Sequence, residues 1–129
     1  IKLIFPDNSY FPKEIKKGFR HFCQDNAYNY KIIGSIENEP VKEGDVFINM
    51  LEDDLVTLIE KIKPTSLKIG EQVGIISYNE TPAKRVILNG ITTISSDFYE
   101  MGVMTAQTIL SGSLQRKKVP FKLTLRPSL

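Results

Sequence analysis

The one constellation of side chains in this 129-residue chain that could do chemistry together falls in three short polar stretches, each following an apolar run. Asp7-Asn8-Ser9 follows IKLIF, Glu52-Asp53-Asp54 follows GDVFINM, and Asn79-Glu80 follows VGIISY. Apolar, β-branched runs of this length fill central parallel strands, and open α/β sheets bind ligands just past the carboxyl ends of such strands. Carboxylates gathered there could hold magnesium for phosphoryl handling, which also needs an aspartate nucleophile backed by a strand-end lysine and a hydroxyl. Those partners have no evident place in the sequence, and the acids at 52–54 equally suit the positive end of a helix. The GxxxxGKS/T, GxGxxG, HExxH and GxSxG signatures are absent. His21 has no second ligand candidate nearby and reads as surface, while Cys23 lies on an apolar stripe and reads as core.

The elements that must position these groups alternate in type. Ile1 to Phe5 reads as a strand, followed by turn residues and a helix opened by Pro12, with Ile15, Phe19, Phe22 and Cys23 on one face. Its other stripe, Lys13, Lys16, Lys17 and Arg20, lacks interleaved aromatics and reads as a solvated face. Strands are expected at Tyr30 to Ile36 and Gly44 to Met50, with only IENEPVKE between them. A parallel crossover usually needs a dozen or more residues, so these strands are either not neighbours or joined by an extended link instead of a helix. A second helix runs from about Asp53 to Lys63, with Leu55, Val56, Leu58, Ile59 and Ile62 as its apolar face and Pro64 barring extension. Val73 to Tyr78 is the central strand. Asp97 with Glu100 forms a capping box that opens a third helix, and Gly112 closes it. Phe121, Leu123 and Leu125 alternate with polar residues as an edge strand. The order is that of an α/β domain.

A hydrophobic content of 41% supports a modest core, and a formal charge of +2 sets up no field for nucleic acid or membrane. No apolar run reaches the roughly 18 residues of a spanning helix. One cysteine excludes an internal disulfide framework and fits a reducing compartment, the cytoplasm.

LKIGEQVGIISYNETPAKRVILNGITT, followed by ISSDFYEMG and the closing TLRPSL, resembles the C-terminal part of lactose-repressor-type transcription regulators. Those share a G-F/Y-D-D-T turn, a P-L-T-T-I segment, an M-G helix and an R-x-S-L ending. The resemblance extends back over DVFINMLEDDLVTLIEKI and the KKGF of the first helix, nearly the whole chain. It implies a parallel-sheet α/β sandwich, the C-terminal subdomain of the type I periplasmic-binding-protein-like fold, closing with a second subdomain on a small-molecule effector, often a sugar. Residues 1–95 would be this effector-binding subdomain, and 96–129 a crossover helix and final strand. The N-terminal subdomain and a DNA-binding head, helix-turn-helix or GntR-type winged helix, would lie outside it, and the wording IKKGF and EDDL leans to the GntR type.

Three usual effector positions carry over poorly. The family's arginine falls at Ile15, its asparagine at Leu51 and the first aspartate of its turn at Asn79. The expected effector-binding set is Ser9, Tyr10, Leu51, Glu52, Tyr78, Asn79 and Glu80, with no metal, cofactor or catalytic residue. A homodimer is expected through Leu55, Ile59, Val86, Ile87 and Leu88. The third helix, with Phe98, Met101, Ala106 and Ile109 around more than one face, is expected to find its cover outside its own sheet. A magnesium-dependent phosphoryl-handling domain and a periplasmic solute-binding protein are the competing readings.

Overall fold

Alternating apolar residues along the short strands give the sheet two faces to cover, and helices cover both. The computed structural model describes residues 1–129. It contains β1 (Lys2–Ile4), α1 (Glu14–Asp25), β2 (Lys31–Ile33), β3 (Val46–Asn49), α2 (Glu52–Ile62), β4 (Gly74–Tyr78), β5 (Thr92–Ser96), α3 (Phe98–Ser111) and β6 (Phe121–Thr124). One six-stranded sheet runs in the order β2-β1-β3-β4-β5-β6, parallel throughout except for the antiparallel edge strand β6.

Leu3 and Ile4 point to opposite faces, as do Phe47 and Ile48. On one face α1 places Ile15 and Phe19 against Leu3, Phe5, Ile48 and Met50. On the other, Leu55, Leu58 and Ile62 of α2 pack against Ile4, Phe47 and Ile75. Burying each such side chain contributes about 1.5–3 kcal/mol, so α2 is the main clamp on the larger core. Val56 stands 46% exposed and is not on the packed face. The seven-residue repeat of Leu55, Leu58 and Ile62 fixes the buried stripe, and Val56 lies a quarter-turn off it.

β2 and β3 are separated by β1, and their connection carries no helix. Side chains hold that link instead. Lys2 Nζ donates to the Pro40 carbonyl at 3.0 Å and to Asp45 at 2.8 Å, and pairs with Glu39 at 3.1 Å. Lys61 of α2 reaches the carbonyls of Ile36 and Glu37. Ile36 fills the core beneath.

The capping box forms as the sequence specifies: Asp97 Oδ1 accepts from the Glu100 amide at 3.0 Å, and Gly112 ends α3 in the left-handed conformation, φ 61°. The helix nevertheless buries no residue. Phe98, Tyr99, Ile109 and Leu110 are exposed, so α3 is not laid against its own sheet. No helix is long and apolar enough to cross a membrane.

The closing RPSL segment is woven into the amino ends of β4 and β5. Ser128 Oγ donates to the Ile75 carbonyl at 2.7 Å and accepts from the Thr92 amide at 2.8 Å, while the Ser128 carbonyl accepts from the Ile75 amide at 2.7 Å. Gly70, at φ 87°, lets this tail approach: a Cβ there would lie 1.9 Å from the Pro127 carbonyl oxygen.

Candidate functional site at the carboxyl edge of the sheet

β3 ends in Asn49, which is fully buried. Its Nδ2 donates to the Leu51 carbonyl at 2.7 Å and to Ser77 Oγ of β4 at 3.0 Å, tying the two strand ends together. Leu51 is extended (φ −102°, ψ 152°), 40% exposed, and leads directly into α2. Glu52 is exposed and accepts from Thr81 Oγ1 at 3.0 Å, which links the start of α2 to the turn after β4. Three buried side-chain atoms have no hydrogen-bond partner in the protein: Ser9 Oγ, Asn49 Oδ1 and Asp54 Oδ2. All three lie in the loop after β1, at the end of β3 or in the first turn of α2. Burial, followed by the charges of Asp53 and Glu37, raises the Asp54 carboxyl above its usual range.

After β4 the chain turns at Asn79, which adopts φ 62°, a left-handed conformation that asparagine tolerates better than most residues. Its amide donates to the Ile94 carbonyl at 2.8 Å. Its own carbonyl and that of Tyr78 accept from Lys84 Nζ at 2.8 and 2.9 Å. The Asn79 side chain is partly exposed and makes no hydrogen bond within the chain, so its carboxamide is free to meet a ligand. Tyr78 is held edge-on against Phe11, with ring centroids 5.5 Å apart, and also meets Phe121 at 6.2 Å. Tyr10 is fully exposed and Ser9 half-buried.

Glu80 departs from the expectation of a ligand contact. Arg126 grips it with two donors, NH1 to Oε2 at 3.0 Å and NH2 to Oε1 at 2.8 Å; Arg85 adds a contact at 3.3 Å and Thr93 Oγ1 donates to Oε2. Both carboxylate oxygens are therefore engaged, and Glu80 anchors the C-terminal segment. The Arg126 hydrogen bonds lead in holding its pKa down at about 2, with Thr93 and Arg85 assisting against the opposing effect of burial. Beside it opens a cleft of about 500 Å³ lined by Ser95, Ser96, Phe98, Tyr99, Lys122 and Thr124 among others.

The residues expected at a dimer face separate. Leu55 is 0% exposed in the core of its own chain and has no surface to offer a partner. Ile59 and Ile87 are partly buried against that same core. Val86, 76% exposed, and Leu88 remain open, together with Val56 of α2. The acids at the strand ends do not converge: no three His, Cys, Asp or Glu side chains lie close enough to hold a metal ion. His21 is exposed and Cys23 buried in the core.

Sequence reasoning missed Asn49, Ser77 and Lys84. Asn49 and Ser77 sit inside apolar runs where a single polar residue reads as tolerated, yet polar residues at adjacent strand ends are a usable sign of a bond between them. Lys84 reads as a solvated charge beside Arg85, and nothing local marks it as buried.

No family model matches the sequence, and no curated protein matches it significantly. Solved structures do match. The lac repressor bound to ONPG in its repressed state superposes with a TM-score of 0.77 at 16% identity, covering 99% of this chain and 44% of that one. The fold is that of the lactose-repressor core. An uncharacterized protein from Actinobacillus succinogenes gives a TM-score of 0.79 at 16% identity, over 98% of this chain and 54% of that one. A LacI family transcriptional regulator from Bifidobacterium animalis subsp. lactis gives 0.77 at 16% identity, over 98% and 53%. The chain thus spans about half the length of these structures. Within that fold Ile15 packs in the core under α1, whereas Leu51 and Asn79 sit at the carboxyl edge with accessible side chains.

Proposed function

We propose that this chain is the C-terminal effector-binding subdomain of a cytoplasmic bacterial transcription regulator, without catalytic activity of its own, and that a small polyhydroxylated molecule such as a sugar binds at its carboxyl edge. The observation that carries this reading is the contrast between a built edge and unused groups on it. Ser9 Oγ, Asn49 Oδ1 and the Asn79 carboxamide are left without protein partners on a frame otherwise closely hydrogen-bonded. The edge is rich in acceptors and acids, and its one buried cation, Lys84, is turned inward. Such a lining favours hydroxyl donors over anions. Tyr10, fully exposed beside it, offers an aromatic face for a sugar ring.

In this reading residues 1–95 form the subdomain, and 96–129 supply α3 to the second subdomain before returning as β6. The bare apolar sides of α3 fit that assignment. DNA contact belongs to a head outside this chain, winged helix or helix-turn-helix, and Val86, Leu88, Val56 and the accessible part of Ile59 form the homodimer face. The test is a thermal-shift screen of the full-length regulator against neutral mono- and disaccharides. At least one should raise the melting temperature, and Asn79→Gly, which keeps the left-handed turn but removes the amide, should abolish that rise. A screen in which no saccharide shifts the melt overturns the sugar assignment.

A further inference from the structure

The crossover from β4 to β5 contains no α-helix, only two short 3-10 turns at Ala83–Arg85 and Ile87–Asn89. The last carbonyls of β4 therefore have no helix beside them, and the group that meets them is Lys84. Lys84 is 2% exposed, and its ammonium donates to two carbonyls on consecutive residues, Tyr78 and Asn79. It makes no salt bridge within 4.0 Å, although Glu52 and Glu80 lie near enough to favour its charge. A buried ammonium without an ion-pair partner is an expensive way to stabilise a fold. Burial accordingly lowers its pKa. A neutral side chain of similar length would fill the same space at less cost, so what distinguishes the lysine is the pair of hydrogen bonds it makes.

Those bonds act on the one residue of the edge with a strained backbone and a free side chain. Asn79 at φ 62° is held from three directions: its amide on Ile94, its carbonyl on Lys84, and the preceding carbonyl on Lys84 as well. Rotating the 78–79 or 79–80 peptide would break one Lys84 bond and swing the Asn79 carboxamide away from the edge. We infer that Lys84 is a positioning residue for the effector site, fixing the left-handed turn at Asn79 and thereby the direction in which its amide meets ligand. This rests on the effector-binding reading above, and it assigns Lys84 no ligand contact of its own.

The test is an NMR measurement on the full-length protein. Backbone chemical shifts should report a positive φ at Asn79 in the wild type and a conformationally averaged or negative φ in Lys84→Met, with core resonances such as Phe47 and Ile75 unmoved. Lys84→Gln has no charge to bury and an amide one bond too short to reach both carbonyls. It should fold even if the methionine variant does not, and should also release Asn79. For a saccharide found in the screen, Lys84→Gln should weaken binding about tenfold, and the double variant with Asn79→Gly should bind no more weakly than Asn79→Gly alone. A positive φ at Asn79 retained in Lys84→Gln, or additive losses in the double variant, overturns the inference. If Asn79 is released but the wild type binds no saccharide, the positioning role stands and the effector assignment fails.

Discussion

The two edges of this sheet are built from similar residues and treated in opposite ways. At the amino edge nearly every polar group is closed: Ser128 bridges β4 and β5 through three hydrogen bonds, and Lys2 joins Pro40, Asp45 and Glu39. At the carboxyl edge Asn49 and Lys84 tie the frame, but Ser9 Oγ, Asn49 Oδ1, Asp54 Oδ2 and the Asn79 carboxamide are left over. Hydrogen bonding has been concentrated at one end of the strands and unpaired polar groups at the other. This matches the general placement of ligands in parallel α/β sheets, and its cause here is visible residue by residue.

The largest effect should come from opening the amino edge. Gly70→Ala puts a methyl within 1.9 Å of the Pro127 carbonyl at a positive φ, so the RPSL tail must leave its seat; a loss of about 3–5 kcal/mol is expected by urea denaturation, of the scale of the largest single-residue effects. A loss below about 1 kcal/mol would mean the tail contributes little.

Next is the clamp that joins tail to turn. Removing the bidentate partner with Arg126→Ala should cost about 2–3 kcal/mol at neutral pH, as expected for charge-assisted hydrogen bonds. Glu80 has a folded pKa of about 2 against an ordinary value of 4.5. Its contribution is therefore fully present above the unfolded pKa and lost as pH falls through about 4.5 toward 2. Arg126→Ala should flatten the acid limb of the stability profile across that window, and an unchanged limb would place the acid sensitivity elsewhere.

Changes at the exposed side chains of the carboxyl edge should hardly register in stability. Tyr10→Ala, at a fully exposed side chain, is expected to stay within about 0.5 kcal/mol of wild type while weakening saccharide binding. A marked loss of stability would mean Tyr10 packs on something in the whole protein.

The same contrast explains what the sequence disclosed. Central strands, α2, the capping box at Asp97 and the helix-free link between β2 and β3 were all legible, because periodicity, local caps and link length are written in neighbouring residues. So was the placement of three polar stretches at the carboxyl ends of the strands, where the site is proposed. Which polar groups there are free was not legible, because it depends on partners far along the chain. Glu80 reads as a cleft residue until Arg126, 46 residues later, takes both its oxygens. Lys84 reads as solvated until the missing crossover helix leaves two carbonyls for it to bind. Leu55 reads as surplus apolar surface until its own core is found to consume it.

The most direct measurement maps where a ligand lands. Amide chemical shifts of the full-length protein, recorded with and without a saccharide that raises its melting temperature, should move within this chain chiefly at Ser9, Tyr10, Leu51, Glu52 and 78–80. Gly70, Thr92 and Ser128 should stay still. Shifts concentrated at the amino edge, or at Val86 and Leu88 with Asn79 unmoved, would contradict the assignment of the carboxyl edge as the effector site.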